Sequence, residues 1–493
     1  YLEAGLDVEV AVIYKDNVST FYEFEGVTVY KTDYNEMKNI IMAKSYDGIF
    51  VHFLDATYAK NLIDGYLNDT PVFLWNHGAD ILFKDYKEIY TEYFHDDYKL
   101  PDFLKEEYKK REKYFTELIK NKNIYWIFVS EWEKNRAEEL LKVKFKNSKV
   151  IHNYINEKEF KYIKKDDEQR KNIFLVRKFD RTKKYAVDIA VSTILELSKR
   201  DFFNDLNFYI CGDGEYFNKL VEPIKDFKNV NLVKTFLTHD QIYEYHKKCG
   251  IGLFPTRQDT QGVSALEAAS SGLAVISSNL PVINEFFDKK LNTLCETENI
   301  KEYADTIERL YKDKKEFQSI SKKMSDYTYK KCCFDETIKK EIEYIEENKL
   351  SLEKLVSVPK IIDKKALLTI TIPSYNASKY LQKCLLSILK SKYLGKLEIL
   401  VINDGSLDNT KEIGLYFEEL LKNKTRKILT LVDKENGGHG SGINKGLELA
   451  TGKYFRVVDS DDWLDTEELD KYLEKLQNED TDEILTDYWS KNI

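Results

Sequence analysis

Short apolar runs recur along the chain and alternate with segments of helical spacing. They include VEVAVIY (8–14), GIFVHFL (48–54), PVFLW (71–75), IYWIFVS (124–130), KNIFLV (171–176), NFYICG (207–212), GIGLFP (250–255) and LAVISS (273–278). Runs that are apolar at consecutive positions predict strands covered on both faces, and the helices between them predict parallel sheets. There are too many such strands for one sheet. The stretch KVIHNYINEKEF (149–160) predicts a crossover between two α/β domains, and residues 300–350, rich in Lys and Glu, predict a helical tail. Residues 350–366 contain Pro359, lack a clear period and predict a linker. The pattern then restarts. LLTITIP (367–373), LEILVIND (397–404), KILTLVD (427–433) and KYFRVVDSDD (453–462) predict four strands with helices between them. The first of these helices carries Tyr380, Leu381, Cys384, Leu385, Ile388 and Leu389 on one stripe. Another, GINKGLELATG (442–452), is predicted to end with Gly452 as its cap. The fold class is therefore α/β, with domains at 1–150, 151–349 and 367–493.

Composition changes this picture little. A chain of 493 residues is enough for roughly three domains at ~150 residues each. Lys and Arg total 76 against 85 Asp and Glu, a net charge of -9 with both signs mixed, so no nucleic-acid surface is expected. The six Cys form no CxxC pair and point to a reducing cytosol. No apolar run approaches the ~18 residues of a membrane span, and no leader peptide is evident. Because residue 1 is Tyr, the natural start is expected upstream. KEEYKKREKYF (105–115) reads first as a solvated helix face and secondly as a peripheral membrane contact.

Candidate chemistry gathers in two places. At the end of the chain, PSYN (373–376), NDGSLD (403–408), NGGHGSGINKG (436–446) and DSDD (459–462) follow four successive strands. Open α/β sheets bind ligands at that edge. Asp459 and Asp461 are hard oxygen ligands suited to Mg²⁺ or Mn²⁺, which would neutralise a diphosphate leaving group. Asp404 can accept from a base N–H. Glycines 437, 438, 440 and 442 let the chain pass close to a ligand. Read alone, DSDD is a solvated turn before a helix.

The second place is FPTRQDTQGVSALEAASSGLAVISS (254–278). A helix opening at Gly262, Val263 and Ser264 favours phosphate. Glu267 can take both hydroxyls of a ribose, and Asp259 can reach a sugar hydroxyl. Arg177 and Lys183 can clamp a diphosphate. No acid cluster for a metal is visible here, so cations and the helix dipole would stabilise the leaving group. A dinucleotide site at the GDG run is weak, because GxGxxG is absent.

Residues 367–493 resemble glycosyltransferase family 2, the inverting GT-A enzymes, through PSYN (with Pro373, Tyr375 and Asn376), NDGSLD, the N-x-G run and DSDD. The resemblance implies a nucleotide-sugar donor, usually UDP-linked, with Asp404 on the base, Asp459 near the ribose and Asp461 on the metal. The general base of that family lies well downstream of the metal motif, beyond Ile493. The residues present are expected to bind donor without completing transfer. Residues 1–345 resemble glycosyltransferase family 4, retaining enzymes of GT-B fold with no metal cofactor. CGDGE (211–215, with Gly212), VIHNYIN (150–156) and NHGAD (76–80, with His77) carry that likeness. Asp259 stands where the family has Glu, and Thr182 takes the usual lysine register, leaving that role to Lys183 or Lys184. The family's first strand and glycine-rich loop have no counterpart here. His77 is implied at the cleft, or else bonds a neighbouring carbonyl.

The expected protein is a glycosyltransferase of two Rossmann-like halves (GT-B) followed by an incomplete GT-A domain. It is expected to act in the cytoplasm, or at the inner face of the membrane, on a glycan or lipid-linked glycan acceptor. A non-catalytic role for one module is the alternative, and an oxidoreductase is the weakest reading.

Overall fold

Most of the apolar runs find cover on both faces in parallel sheets. The computed structural model describes residues 1–2, 5–14, 20–43, 46–63, 70–83, 93, 101–349, 361, 365–422 and 425–481. Most of the predicted linker lies outside the described residues. The chain divides into two compact units that do not follow chain order. One comprises Tyr1–Leu6, Phe50–Gly65 and Val72–Glu347; the other comprises Asp7–Ile49, Tyr66–Pro71 and Asn348–Ile493.

Three strands open the second unit: β1 (Glu9–Ile13), β2 (Thr20–Phe24) and β3 (Val27–Thr32). They form their own sheet in the order β1-β3-β2, with β2 antiparallel to β3. This corrects the expectation that 8–14 joins a helix-covered parallel sheet. Glu25 (φ 50°) and Gly26 (φ 80°) make a two-residue turn with both φ values positive, the geometry that folds a strand directly back. β1 and β2 are mostly exposed.

The first unit has two parallel sheets. One, in the order β4-β5-β6-β7, comprises β4 (Ile49–His52), β5 (Val72–Asn76), β6 (Ile124–Phe128) and β7 (Ser148–Val150). The other runs β10-β9-β8-β11-β12-β13. Its strands are β8 (Asn172–Val176), β9 (Asn207–Gly212), β10 (Val230–Lys234), β11 (Ile251–Phe254), β12 (Ala274–Ser278) and β13 (Leu294–Cys295). β5, β11 and β12 are buried throughout, as strands covered on both faces must be. The tail folds as the helices Ile300–Lys312, Lys314–Cys332 and Phe334–Asn348. The last returns to the four-stranded sheet, where Tyr344 and Ile345 pack with Phe73 and Trp75. Glu341 accepts from Tyr1 Oη (2.7 Å) and Trp75 Nε1 (3.3 Å). All six cysteines are buried free thiols.

Lys165 is a charged group inside this unit. It is 2% exposed, and its Nζ donates to the His246 carbonyl at 2.6 Å. Burial lowers its pKa from 10.5 to about 8. Below about 8 both folded and unfolded chains are protonated, and the folded chain bears the full burial cost. Between about 8 and 10.5 the unfolded chain holds more protons, so stability rises with pH. The expected gain is on the order of 3 kcal/mol. It is read as the difference between wild type and Lys165→Met in denaturant unfolding across that window. Identical pH profiles in the two proteins would exclude the assignment.

The rest of the second unit is a parallel sheet in the order β16-β15-β14-β17. Its strands are β14 (Leu368–Ser374), β15 (Leu397–Asp404), β16 (Leu429–Lys434) and β17 (Tyr454–Val457). The chain steps outward from β14 to β16, then crosses to the far side of β14. The helix Leu381–Leu389 buries Leu381, Cys384, Leu385, Ile388 and Leu389, while Tyr380 precedes it and stays 37% exposed. The helix His439–Leu449 ends at Ala450 in extended backbone, so Gly452 is not its cap. Gly452 is glycine for another reason: a Cβ there would lie 2.6 Å from the Thr369 backbone nitrogen. Gly446 likewise lets this helix lie against β14, since its Cβ would meet Thr371 Cγ2 at 2.1 Å.

Candidate active sites

In the first unit the chain leaves β11 through PTRQDTQG and enters the helix Val263–Ser270. Asp259 shapes this loop. Its Oδ1 accepts from the backbone N–H groups of Thr260 (2.8 Å), Gln261 (3.3 Å) and Gly262 (2.9 Å). One oxygen of the residue expected to reach a sugar is thus committed to its own loop. Gly262 has φ 81°, and no side chain caps the helix that Val263 and Ser264 begin. Its leading N–H groups and dipole are suited to an anion. Glu267 follows one turn later. Burial pushes its carboxyl up to about 7, against the charge of His239 and with Glu159 adding to the rise.

Arg177, just beyond β8, is 8% exposed, with its guanidinium 4.8 Å from the Phe254 ring centre and 5.4 Å from that of Tyr185. Burial lowers its pKa, and the charge of Asp259 opposes that. Its Nε has no partner among the described residues. Gly212 serves this arginine. A Cβ there would sit 1.8 Å from the Arg177 carbonyl oxygen, so the backbone crosses at a point only glycine tolerates. Lys183 opens a short turn whose carbonyl accepts from Arg257 Nη1 at 3.1 Å. Nothing in the spacing of Arg257 marks it. It forms a two-pronged pair with Asp188 (2.8 Å each) and a third contact with Glu298 (2.6 Å), pinning the Lys183 turn to the Asp259 loop.

His77 follows β5. Its backbone N–H donates to Asp80 Oδ1 at 3.0 Å, and its carbonyl accepts from Thr260 Oγ1 at 3.4 Å. The His77 loop therefore meets the Asp259 loop. Among the described residues the ring bonds no carbonyl: its Nε2 lies 3.0 Å from His52 Nδ1, and Phe53 stacks on it at 4.6 Å. Burial and the neighbouring His52 lower His77 to about 4, so the pair is neutral near pH 7. Nothing in the spacing of His52 had marked it.

In the second unit all four parallel strands end at one edge. Asn376 (φ 50°) donates its N–H to Ser406 Oγ at 2.9 Å and accepts from the Leu407 N–H at 2.8 Å, tying PSYN to NDGSLD. Asp408 adds a bond from the Ser378 N–H at 3.0 Å. Pro373 is buried within β14, while Tyr375 is 52% exposed beside the edge. Asp404 is 3% exposed, and its Oδ1 accepts from the Gly437 N–H at 2.9 Å and from the Lys434 ammonium. Burial works to raise its pKa, but Lys434 and the Gly437 N–H outweigh it and hold Asp404 below the usual carboxylate range. His439, at the start of its helix, places Nε2 2.8 Å from Asp459 Oδ1. Lys434 and His439 were both missed. Lys434 stands one residue past the predicted strand, and His439 lay in a run read for its glycines.

Asp459, Asp461 and Asp462 share one corner. Burial, then the charges of Asp461 and Asp459, raise the Asp462 carboxyl. A cation would relieve that field. Among the described residues no three His, Cys, Asp or Glu side chains are grouped as a ready metal cage. Mg²⁺ or Mn²⁺ brought by a diphosphate needs only one or two carboxylates, so the donor set fits such an ion.

Comparison with known proteins agrees with this geometry. Residues 156–331 match the family described as glycosyl transferases group 1, and residues 369–492 match glycosyl transferase family 2. Glycosyltransferase GlyA of Streptococcus pneumoniae serotype 4 is 36% identical over 132 residues, 27% of this chain and 18% of that protein. Hyaluronan synthase of Pasteurella multocida is 34% identical over 120 residues, 24% of this chain and 12% of that protein. The chain thus spans under a fifth of the length of either relative. Sucrose-phosphate synthase from Thermosynechococcus elongatus shares the fold at TM-score 0.56 and 13% identity, over 70% of this chain and 90% of that one.

Proposed function

We propose that this chain, which carries a group 1 glycosyl transferase domain followed by a family 2 glycosyl transferase domain, adds two sugars in succession to a growing cell-surface glycan. Both donors are nucleotide sugars, UDP-linked. The observation that carries the reading is that both regions gather acids, glycine turns and cations at the carboxyl edge of a parallel sheet.

In the first domain the helix start at Gly262, Val263 and Ser264, with Arg177 and Lys183, takes the diphosphate. Glu267 accepts the ribose hydroxyls. Asp259 and His77 face the sugar. Departure of the nucleoside diphosphate is then stabilised by fixed cations and helix N–H groups, without a metal. In the second domain Asp404 takes the base, Tyr375 and Asn376 frame it, and Asp459 lies toward the ribose. Asp461, with Asp459, would hold a Mg²⁺ or Mn²⁺ that lends its charge to the leaving diphosphate. The acceptor is a glycan, lipid-linked at the inner face of the membrane. No described helix is long and apolar enough to cross a membrane, so any such contact is peripheral for those residues. The likeness to a hyaluronan synthase supports a polysaccharide setting.

One observation favours a second reading, in which the first domain binds donor without turnover: Asp259 bonds its own loop through three N–H groups. Donor consumption by an Asp461→Asn chain, in which only the first domain is intact, separates the two.

Calorimetric titration of UDP into the full chain, with GDP as comparison, tests the whole. One site is expected in EDTA and two with Mn²⁺. Absence of UDP binding in both conditions would overturn the donor assignment.

A further inference from the structure

The turn Lys183–Tyr185 runs into Ala186, whose φ is 45°. Alanine in the left-handed region is uncommon and strained, and such a position persists only where its surroundings hold it. Ala186 also opens the helix Val187–Leu197 and has no side-chain oxygen to cap it. The missing acceptor comes from Tyr93, 94 residues before Val187. The Tyr93 hydroxyl accepts from the Val187 N–H at 3.0 Å and donates to Asp188 Oδ1 at 3.1 Å. The backbone N–H of Tyr93 donates to the Arg181 carbonyl at 2.8 Å. One residue thus holds the chain on both sides of the turn. Its ring is 4% exposed and packs in the core beneath the six-stranded sheet, which fixes where the hydroxyl points.

Asp188 carries the hold onward. Both of its oxygens pair with Arg257. Arg257 Nη1 donates to the Lys183 carbonyl at 3.1 Å, and the Arg257 backbone N–H donates to the Lys184 carbonyl at 2.8 Å. The turn is therefore gripped through the backbone of Arg181, Lys183, Lys184 and Val187. These bonds set where the lysine side chains start and do not use their ammonium groups.

Resting on the reading of this turn as a diphosphate contact, we propose that Tyr93 is a positioning residue for the nucleotide diphosphate: with Asp188 and Arg257 it holds the strained Lys183–Ala186 turn in the shape that receives the phosphates. Tyr93 acts through the turn and does not touch the ligand. Loss of its hydroxyl leaves the Val187 N–H without its acceptor, and the turn relaxes away from the strained shape. A small displacement of a positioning element is felt in the contacts it serves. Base and ribose are held elsewhere, so the loss is confined to the phosphates.

The test is displacement calorimetry of UDP and of uridine with the full chain in EDTA. The ratio of the two affinities reads the diphosphate contacts. In Tyr93→Phe this ratio should fall about fivefold, the scale of a hydrogen bond, with uridine affinity within about twofold of wild type. A merely structural role would weaken both ligands together. An unchanged ratio, or a loss shared equally by uridine, overturns the proposal. Joint replacement of Lys183→Met and Lys184→Met then separates the two levels: a lowered ratio leaves the turn on the diphosphate without Tyr93, and an unchanged ratio removes the turn from the diphosphate as well. Absence of UDP binding in EDTA overturns both. Should Tyr93→Phe fail to melt as wild type does, Arg257→Lys keeps the charge but breaks the two-pronged pair with Asp188. It must show the same selective loss, and a wild-type ratio in it overturns the proposal.

Discussion

Glu267→Gln will make UDP binding by the first domain insensitive to pH, whereas the wild-type site will weaken steeply as the medium is acidified. The reason is that the free carboxyl titrates at about 7, chiefly because it is buried. In the proposed site ribose hydroxyls would donate to the carboxylate, so binding would require the ionised form. Below about 7 each unit of pH costs roughly tenfold in affinity, because a proton must first be removed. Glu267→Ala loses the contact altogether, on the order of 1–3 kcal/mol. The folded-state pKa is raised, so the unfolded chain loses this proton first and Glu267 lowers stability as pH rises from 4.5 to about 7. Without nucleotide, Glu267→Gln should therefore melt higher than wild type at neutral pH. If the second domain needs a metal, as proposed, calorimetry in EDTA reads the first domain alone. A wild-type affinity that is flat across this range would remove Glu267 from the ribose.

Asp461→Asn will abolish the Mn²⁺-dependent component of UDP binding and leave the EDTA-resistant component intact. The substitution keeps the shape and removes one of the charges that crowd the DSDD corner. Losing a charged ligand of a bound cation costs about 2–3 kcal/mol or more, roughly a hundredfold. Titration of free Mn²⁺ followed by electron paramagnetic resonance gives a readout apart from turnover. Asp462 reports the same change, since its carboxyl should fall back when the charge of Asp461 is gone. Unchanged Mn²⁺-dependent affinity in this variant would return DSDD to a solvated turn.

Much of both sites was legible as residue identity. Asp404, Asp459, Asp461 and Arg177 were marked because strand ends in parallel sheets share an edge, and strand ends can be found from apolar runs alone; Glu267 was marked by its place one turn inside the helix that opens at Gly262. Their partners were less legible. Arg257, His52, Lys434 and His439 are ordinary residues until something from another segment comes to meet them. Lys434 bonds Asp404 across 30 residues, and Arg257 bonds Asp188 across 69. No local spacing encodes such pairs.

The glycines show the same division. The CGDGE likeness marked Gly212 for the donor site, and the end of a helical run marked Gly452 as a cap. Their neighbours are instead the Arg177 carbonyl and the Thr369 amide, brought there by adjacent strands. The hairpin at Glu25 and Gly26 was missed because its turn is E-G, without the Asn-Gly or Asp-Gly pair that favours such a turn.

The sequence by itself determined which segments become strands, that most of them lie in parallel sheets, and which acids stand at the sheet edges. Those follow from periodicity and chain order, which are local. The tertiary structure alone decided which cation faces which acid, how far each acid is buried, and hence that Glu267 titrates near neutrality while Asp404 stays ionised. The physical reason is that a carboxyl responds to the solvent it loses and the partners it gains, and both come from parts of the chain far away in sequence.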